Sequence, residues 1–163
     1  RLNLVTDGVT AMALATEQNH KDLMGSSPVS KKENILNKEV LPFLYINVII
    51  MVGLSFATFI YFIDESIELA RTGLFIVMAF SQLFNVFNLR SIKKSVFEIG
   101  IFSNNYINIA VLLSAILIVL VTEVGAVARI FHFESISFLH FSILFALSSL
   151  ILWCGEIYKR LKN

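Results

Sequence analysis

The chain has 163 residues, of which 56% are hydrophobic and 12% aromatic, with 13 basic and 12 acidic side chains and a formal net charge of +1. Only 15% of residues are charged and mean hydropathy is +0.77, whereas a soluble domain carries about a quarter charged residues. This excludes a disordered or collagen-like chain. The basic residues are scattered over short segments, so no nucleic-acid patch forms and the expected solvent is lipid.

Leu2 to Thr16 is apolar but interrupted by Asn3, Thr6, Asp7 and Gly8. As a helix it reaches about 22 Å, short of a hydrocarbon core of about 30 Å. Residues 1–16 are therefore read as the second half of a membrane helix. Arg1 opens the chain without a basic region and a pure apolar core behind it, so this is not a signal peptide. Residues 17–40 are a polar connector, with a loop signal at Gly25 to Pro28 and a weak capping box at Ser30 and Glu33.

Leu41 to Ile63 is apolar, uncharged and long enough to span. A short acidic loop holds Asp64, Glu65 and Glu68. The next span, Thr72 to Leu89, carries Ser81, Gln82, Asn85 and Asn88. Arg90 to Asn105 is a polar connector, Tyr106 to Thr122 a third span, Glu123 to Ser137 a connector and Phe138 to Gly155 the last span. Residues 156–163 form a basic tail with Lys159, Arg160 and Lys162. Uninterrupted apolar runs of this length predict helices rather than barrel strands. The expected fold is all-α, an integral membrane helical bundle of one truncated span and four full ones, without an internal repeat.

Basic residues in short loops set orientation. Lys21, Lys31, Lys32 and Lys38 fall on one side with Arg90, Lys93, Lys94, Lys159, Arg160 and Lys162. Asp64, Glu65, Glu68, Glu123 and Glu134 fall on the other, with Arg71 and Arg129. The first side is expected to be cytoplasmic, with the C-terminus on it.

Polar side chains inside a membrane are costly, which makes each a functional candidate. Asn3, Thr6 and Asp7 recur at i, i+3, i+4 and share one helical face. They offer an amide oxygen, a hydroxyl and a carboxylate, the hard donors that calcium prefers. Gly8 is a point where the helix can unwind and turn carbonyls toward an ion. The competing reading makes Asp7 a helix end near the interface. Gln82 and Asn85 share a face of the second full span, where interhelical hydrogen bonding and an ion-facing role both stand for Gln82; packing is expected for Asn85 and Asn88. Calcium takes about 6–8 oxygens, so these residues make an incomplete site whose other ligands belong upstream. Glu123 and Glu156 are expected at the interfaces and Cys154 as a buried thiol. His20, His132 and His140 lack metal-ligand spacing, and no hydrolase triad, phosphate loop or dinucleotide fingerprint occurs.

The run from Asn3 to Gly8 resembles the sixth transmembrane helix of P-type calcium-transporting ATPases, and Ala13 to Glu17 resembles that helix's exit in the plasma-membrane pumps. Asp22 to Met24, Pro28 and Glu33 to Leu36 are similar to the family's following loop, although Ser26 to Val29 departs from its pattern. Gln82 to Ser91 resembles helix eight and its exit. Ile130 and Phe131, Ile136 and Ser137, and Gly155 to Lys159 resemble the boundaries of helix ten. The resemblance runs the length of the chain and points to the plasma-membrane and sarcoplasmic-reticulum group. It makes 41–63, 72–89, 106–122 and 138–155 helices seven to ten.

The resemblance implies that Asn3, Thr6 and Asp7 are calcium ligands. It sets Gln82 where the sarcoplasmic-reticulum type has a glutamate, which implies one ion per cycle. ATP and Mg2+ would act through upstream domains of the same pump, whose Asp-Lys-Thr-Gly motif does not occur in these residues. The expected partners are the lipid bilayer and that N-terminal part, and the expected location is the cell membrane. The alternatives are a pump for Mn2+ or Na+, a stand-alone membrane scaffold or accessory protein, and a small proton-coupled carrier, which would need paired embedded acids.

Overall fold

The computed structural model describes residues 2–17 and 40–162, with side chains described from Gly8 onward in the first stretch. Among these residues eight helices follow one another: α1 Leu2–Leu14, α2 Val40–Ile63, α3 Ile67–Leu89, α4 Val96–Ile99, α5 Asn105–Glu123, α6 Gly125–Ile130, α7 Phe138–Ser148 and α8 Leu150–Lys162. Helices α2, α3 and α5, and α7 with α8 taken together, are long and apolar enough to cross a membrane. The fold is an all-α membrane bundle, and no strand occurs among the described residues.

Helix α2 shows why lipid is its solvent. Tyr45, Val48, Ile49, Val52, Phe56 and Ile60 recur every three or four residues and are exposed. Asn47, Ser55 and Thr58 lie on the opposite, buried face. Apolar side chains point out and polar ones in, the reverse of a water-soluble amphipathic helix. The span from Leu41 to Ile63 reads as apolar in sequence, yet Asn47 is buried with neither amide atom hydrogen-bonded, and the Ser55 hydroxyl is likewise unpartnered.

Helix α3 is the axis of the bundle and packs against α1, α2, α5, α7 and α8. Its Ile76, Val77, Phe80 and Leu83 join Phe62 of α2, Ile118 of α5 and Leu144 of α7 in the main core. Gly73 admits α2 closely, since a Cβ there would stand 3.0 Å from Phe62 and Thr58. Phe80 meets Phe141 and Phe145 of α7 edge-on, the arrangement that ring quadrupoles favour.

Helices extend beyond the apolar runs that announce them. The α3 helix starts at Ile67, not Thr72: Ser66 is its N-cap and accepts from the Leu69 N–H at 2.9 Å, and Glu68 lies in the first turn. At the other end of the chain, α8 continues past Gly155 to Lys162. Hydropathy marks where lipid begins, whereas caps and charges complementary to the helix ends carry the backbone further. Ser148 ends α7, and Ser149 separates it from α8. Their hydroxyls donate back to the Leu144 and Ala146 carbonyls at 2.7 and 2.6 Å, a competition with the backbone ladder that bends helices.

Helix α1 runs unbroken through Gly8, so the local unwinding expected at that glycine is not seen. A single glycine costs a helix only about 1 kcal/mol, and neighbouring turns carry it. The expectations for Arg1, the 18–39 part of the connector (with His20, the lysines and the Ser30 cap) and Asn163 lie outside the described residues.

Candidate functional site

Asn3, Thr6 and Asp7 lie on the backbone of α1, and their side chains lie outside the described residues. The level of α1 in the bundle is nevertheless fixed by its exit. Ala13 joins Val86 of α3 and Ile107 and Ala110 of α5 in one apolar cluster. Four residues further along each chain, Glu17 meets Arg90. Because both contacts advance together, α1 and α3 run parallel. Asp7 precedes Ala13 by six residues and Gln82 precedes Val86 by four. At about 1.5 Å per residue the two differ by about 3 Å along the bundle axis. Gln82 is half-buried on α3, and the adjacent Ser81 is fully buried with an unpartnered hydroxyl.

Nearer the basic end, Asn88 is buried and packs α3 against α8. The Asn88 amide donates to the Ile151 carbonyl at 2.9 Å, and Asn85 is only a long 3.5 Å from it. The contact needs Gly155, because a Cβ there would overlap the Asn88 amide.

Two buried ion pairs at the same end are not announced by hydropathy. The Arg90 guanidinium, fully shielded from solvent, forks onto Glu17: Nη2 donates at 2.8 Å and Nε at 3.2 Å. Its Nη1 donates to the Gly100 and Ile101 carbonyls at 2.9 and 3.1 Å, and Nη2 also reaches Ser103 Oγ at 2.6 Å. All five N–H groups of the guanidinium thus have acceptors. Gly100 makes its carbonyl available by adopting φ +88°, where a side chain is strained. Asn104 completes the arrangement: its Nδ2 donates to Glu17 at 2.8 Å while its Oδ1 caps α5 by accepting from Tyr106 and Ile107.

The second pair corrects an expectation. Glu156 is buried, not interfacial: it accepts from Lys159 Nζ at 2.8 Å, from the Val96 N–H at 3.2 Å and from the Ser95 hydroxyl. These donors replace the water that an interfacial carboxylate would use. Glu123 is exposed at the end of α5, as expected. Cys154 is half-buried rather than buried, on a turn of α8 whose Trp153 is exposed. His132 is exposed, whereas His140 is half-buried, with Nδ1 3.1 Å from Ser137 Oγ and its ring edge-on to Phe62. Among the described residues no three His, Cys, Asp or Glu side chains gather to hold a metal.

The chain is similar in sequence to known proteins. The chain is 32% identical to "Calcium-transporting ATPase 1" of Bacillus cereus over 99% of its length, covering 20% of that protein. It is 34% identical to "Calcium-transporting ATPase 1" of Schizosaccharomyces pombe, over 97% of the chain and 18% of the relative. Against "Calcium-transporting ATPase type 2C member 1" of Homo sapiens the identity is 33%, over 99% of the chain and 18% of the relative. The chain thus spans about a fifth of the length of these curated relatives. Residues 1–161 match the family described as "Cation transporting ATPase, C-terminus", and the chain belongs to that family.

Proposed function

We propose that this chain is the C-terminal membrane part of an ATP-driven pump that exports Ca2+ from the cytoplasm, with Asn3, Thr6, Asp7 and Gln82 among the ion ligands. What carries the reading is the parallel pairing of α1 with α3, which brings the backbone level of Asp7 to that of Gln82 in a bundle whose relatives are named calcium-transporting ATPases. An amide, a hydroxyl, a carboxylate and a second amide are hard oxygen donors of the kind Ca2+ takes. The remaining ligands, and the ATP and Mg2+ chemistry, belong to the rest of the same polypeptide. A glutamine rather than a glutamate at 82 supports one ion per cycle and the plasma-membrane type of site.

In this reading Asp7 binds the ion as a carboxylate from the cytoplasm, releases it on the other side and takes up a proton. The cell membrane is the proposed location. The basic end holds Lys93, Lys94, Arg160 and Lys162 and the far end Asp64, Glu65 and Glu134, so the positive-inside bias supports a cytoplasmic C-terminus.

The test is Asp7→Asn in the complete polypeptide. Calcium-dependent phosphorylation by ATP is expected to disappear. If phosphorylation stays calcium-dependent, Asp7 is not a ligand. Oxygen donors separate Mn2+ from Ca2+ poorly, so Mn2+ activating at lower concentration than Ca2+ would reassign the cargo.

A further inference from the structure

The polar network around Arg90 has no counterpart in what the ion site requires by proximity. Glu17 lies ten residues beyond Asp7, about 15 Å along a helix axis. It is nevertheless the point where α1 is held by both of the helices it packs against. Arg90 stands at the exit of α3, the helix of Gln82, and Asn104 is the N-cap of α5. Both donate to the Glu17 carboxylate. Arg90 is locked in turn by the Gly100 and Ile101 carbonyls and by Ser103, whose own hydroxyl donates to Gly100 at 2.8 Å. With every guanidinium N–H engaged and the side chain shielded from water, Arg90 has one geometry, and Glu17 is fixed by it.

Among the described side chains of α1, Thr10 and Ala13 are buried, Ala13 and Leu14 pack in the cluster shared with α3 and α5, and Val9 and Met12 face outward. Apolar contacts are non-directional, whereas a forked ion pair one turn further on constrains both the rotation of α1 and its axial level. Asn3, Thr6, Asp7 and Glu17 belong to one segment, helical from Leu2 to Leu14, so a displacement at the exit is passed to the ligand face.

We infer that Arg90 and Asn104 are positioning residues for the cation site, acting through Glu17 to hold α1 in register with Gln82. The inference rests on the pump reading above. It assigns these residues to ion affinity rather than to the phosphoryl chemistry. Outer-shell partners of metal ligands set affinity by about 10–100-fold when removed, and a register error at α1 acts on the same quantity.

The experiment uses the full-length pump in membranes and measures phosphorylation by ATP against free calcium. Glu17→Gln keeps the shape of the side chain and an acceptor for Asn104 but discharges the Arg90 pair. Asn104→Asp keeps the cap of α5, since Asp is as good an N-cap as Asn, but puts a second carboxylate beside Glu17. Both are expected to raise the calcium concentration for half-maximal phosphorylation, by about tenfold, with the level at saturating calcium unchanged. Asn104→Ser retains a cap without the added charge and is expected to shift it less than Asn104→Asp. An unmoved midpoint in Glu17→Gln and Asn104→Asp, with Asp7→Asn inactive, overturns the positioning role and leaves the pump reading standing. Loss of the saturating level at an unmoved midpoint also overturns it, since the network then serves folding alone. Calcium dependence surviving in Asp7→Asn sinks the pump reading, and this inference with it.

Discussion

The two ends of the bundle are tied together differently. At the basic end the polar contacts are buried and join distant parts of the chain: Arg90 holds Glu17 across 73 positions, and Glu156 holds Ser95 across 61. The connector from Arg90 to Asn104 is gripped on both sides, by α1 through Arg90 and by α8 through Glu156. At the acidic end the links are thinner. The Ser66 hydroxyl donates to the exposed Glu134 at 2.7 Å, and the Glu134 N–H donates to Thr72 Oγ1 at 3.0 Å. Aromatic contacts such as Phe75 with Phe133 complete the packing there. Buried, multiply bonded charge resists local opening, whereas exposed single hydrogen bonds yield first. The basic end is therefore expected to be the stiffer frame and the acidic end the more compliant one.

The largest break in that comparison is Arg90→Ala. It takes the guanidinium from the partly buried Glu17 carboxylate, which keeps the Asn104 amide, and leaves the Gly100 and Ile101 carbonyls and Ser103 without that donor; removing one partner of a buried pair costs about 3–5 kcal/mol. Lys159→Ala is expected to cost less, about 1.5–3 kcal/mol for a hydrogen bond to a charged group, because Glu156 keeps the Val96 N–H and the Ser95 hydroxyl. Unfolding free energies in detergent micelles rank the two. Equal losses would mean that the three-helix junction adds nothing to a local ion pair.

Next comes Gly155→Ala, which drives a methyl group into the Asn88 amide. Overpacking of this kind costs about 1–3 kcal/mol. The double variant with Asn88→Ala removes the obstacle, so its loss should fall short of the sum of the single losses. Additive losses in the same unfolding assay would show that the two residues do not meet.

Gly155 and Asn88 also show where sequence reading stops. The spans and the all-α class are legible because they follow from local chemistry, the length of an apolar run. The burial of Glu156 is not, since a carboxylate beside a basic tail looks interfacial until Ser95 and Val96, sixty residues away, are known to face it. Arg90 reads as one more positive charge at a loop, and only the folded chain shows the Gly100 turn and the Glu17 carboxylate supplying acceptors around it. Asn47 is hidden for the opposite reason, as one amide inside a run whose average is strongly apolar. Long-range polar pairing is set by how helices meet, which periodicity within one helix does not encode. Helix ends fall between these cases: Ser66, Asn104 and Ser137 are all residues that favour N-caps; Ser66 marks the start of α3 better than hydropathy does, whereas the apolar runs from Tyr106 and Phe138 already begin within one residue of α5 and α7.

The smallest effects belong to the acidic end. Ser66 both caps α3, accepting from Leu69, and donates to Glu134. Ser66→Ala removes the cap and is expected to cost about 1 kcal/mol. Glu134→Gln keeps an acceptor for the Ser66 hydroxyl on an exposed side chain and should stay within about 0.5 kcal/mol of the parent. Measured in the same micelles as Arg90→Ala, these values place the acidic end several-fold below the basic one. A Ser66→Ala loss as large as that of Arg90→Ala would show a junction as rigid as the Arg90 network, and the division into a stiff and a compliant end would have to be abandoned. A small loss would instead leave Ser66 and Glu134 as contacts that can part without unfolding the bundle, while Arg90 and Glu156 keep the other end closed.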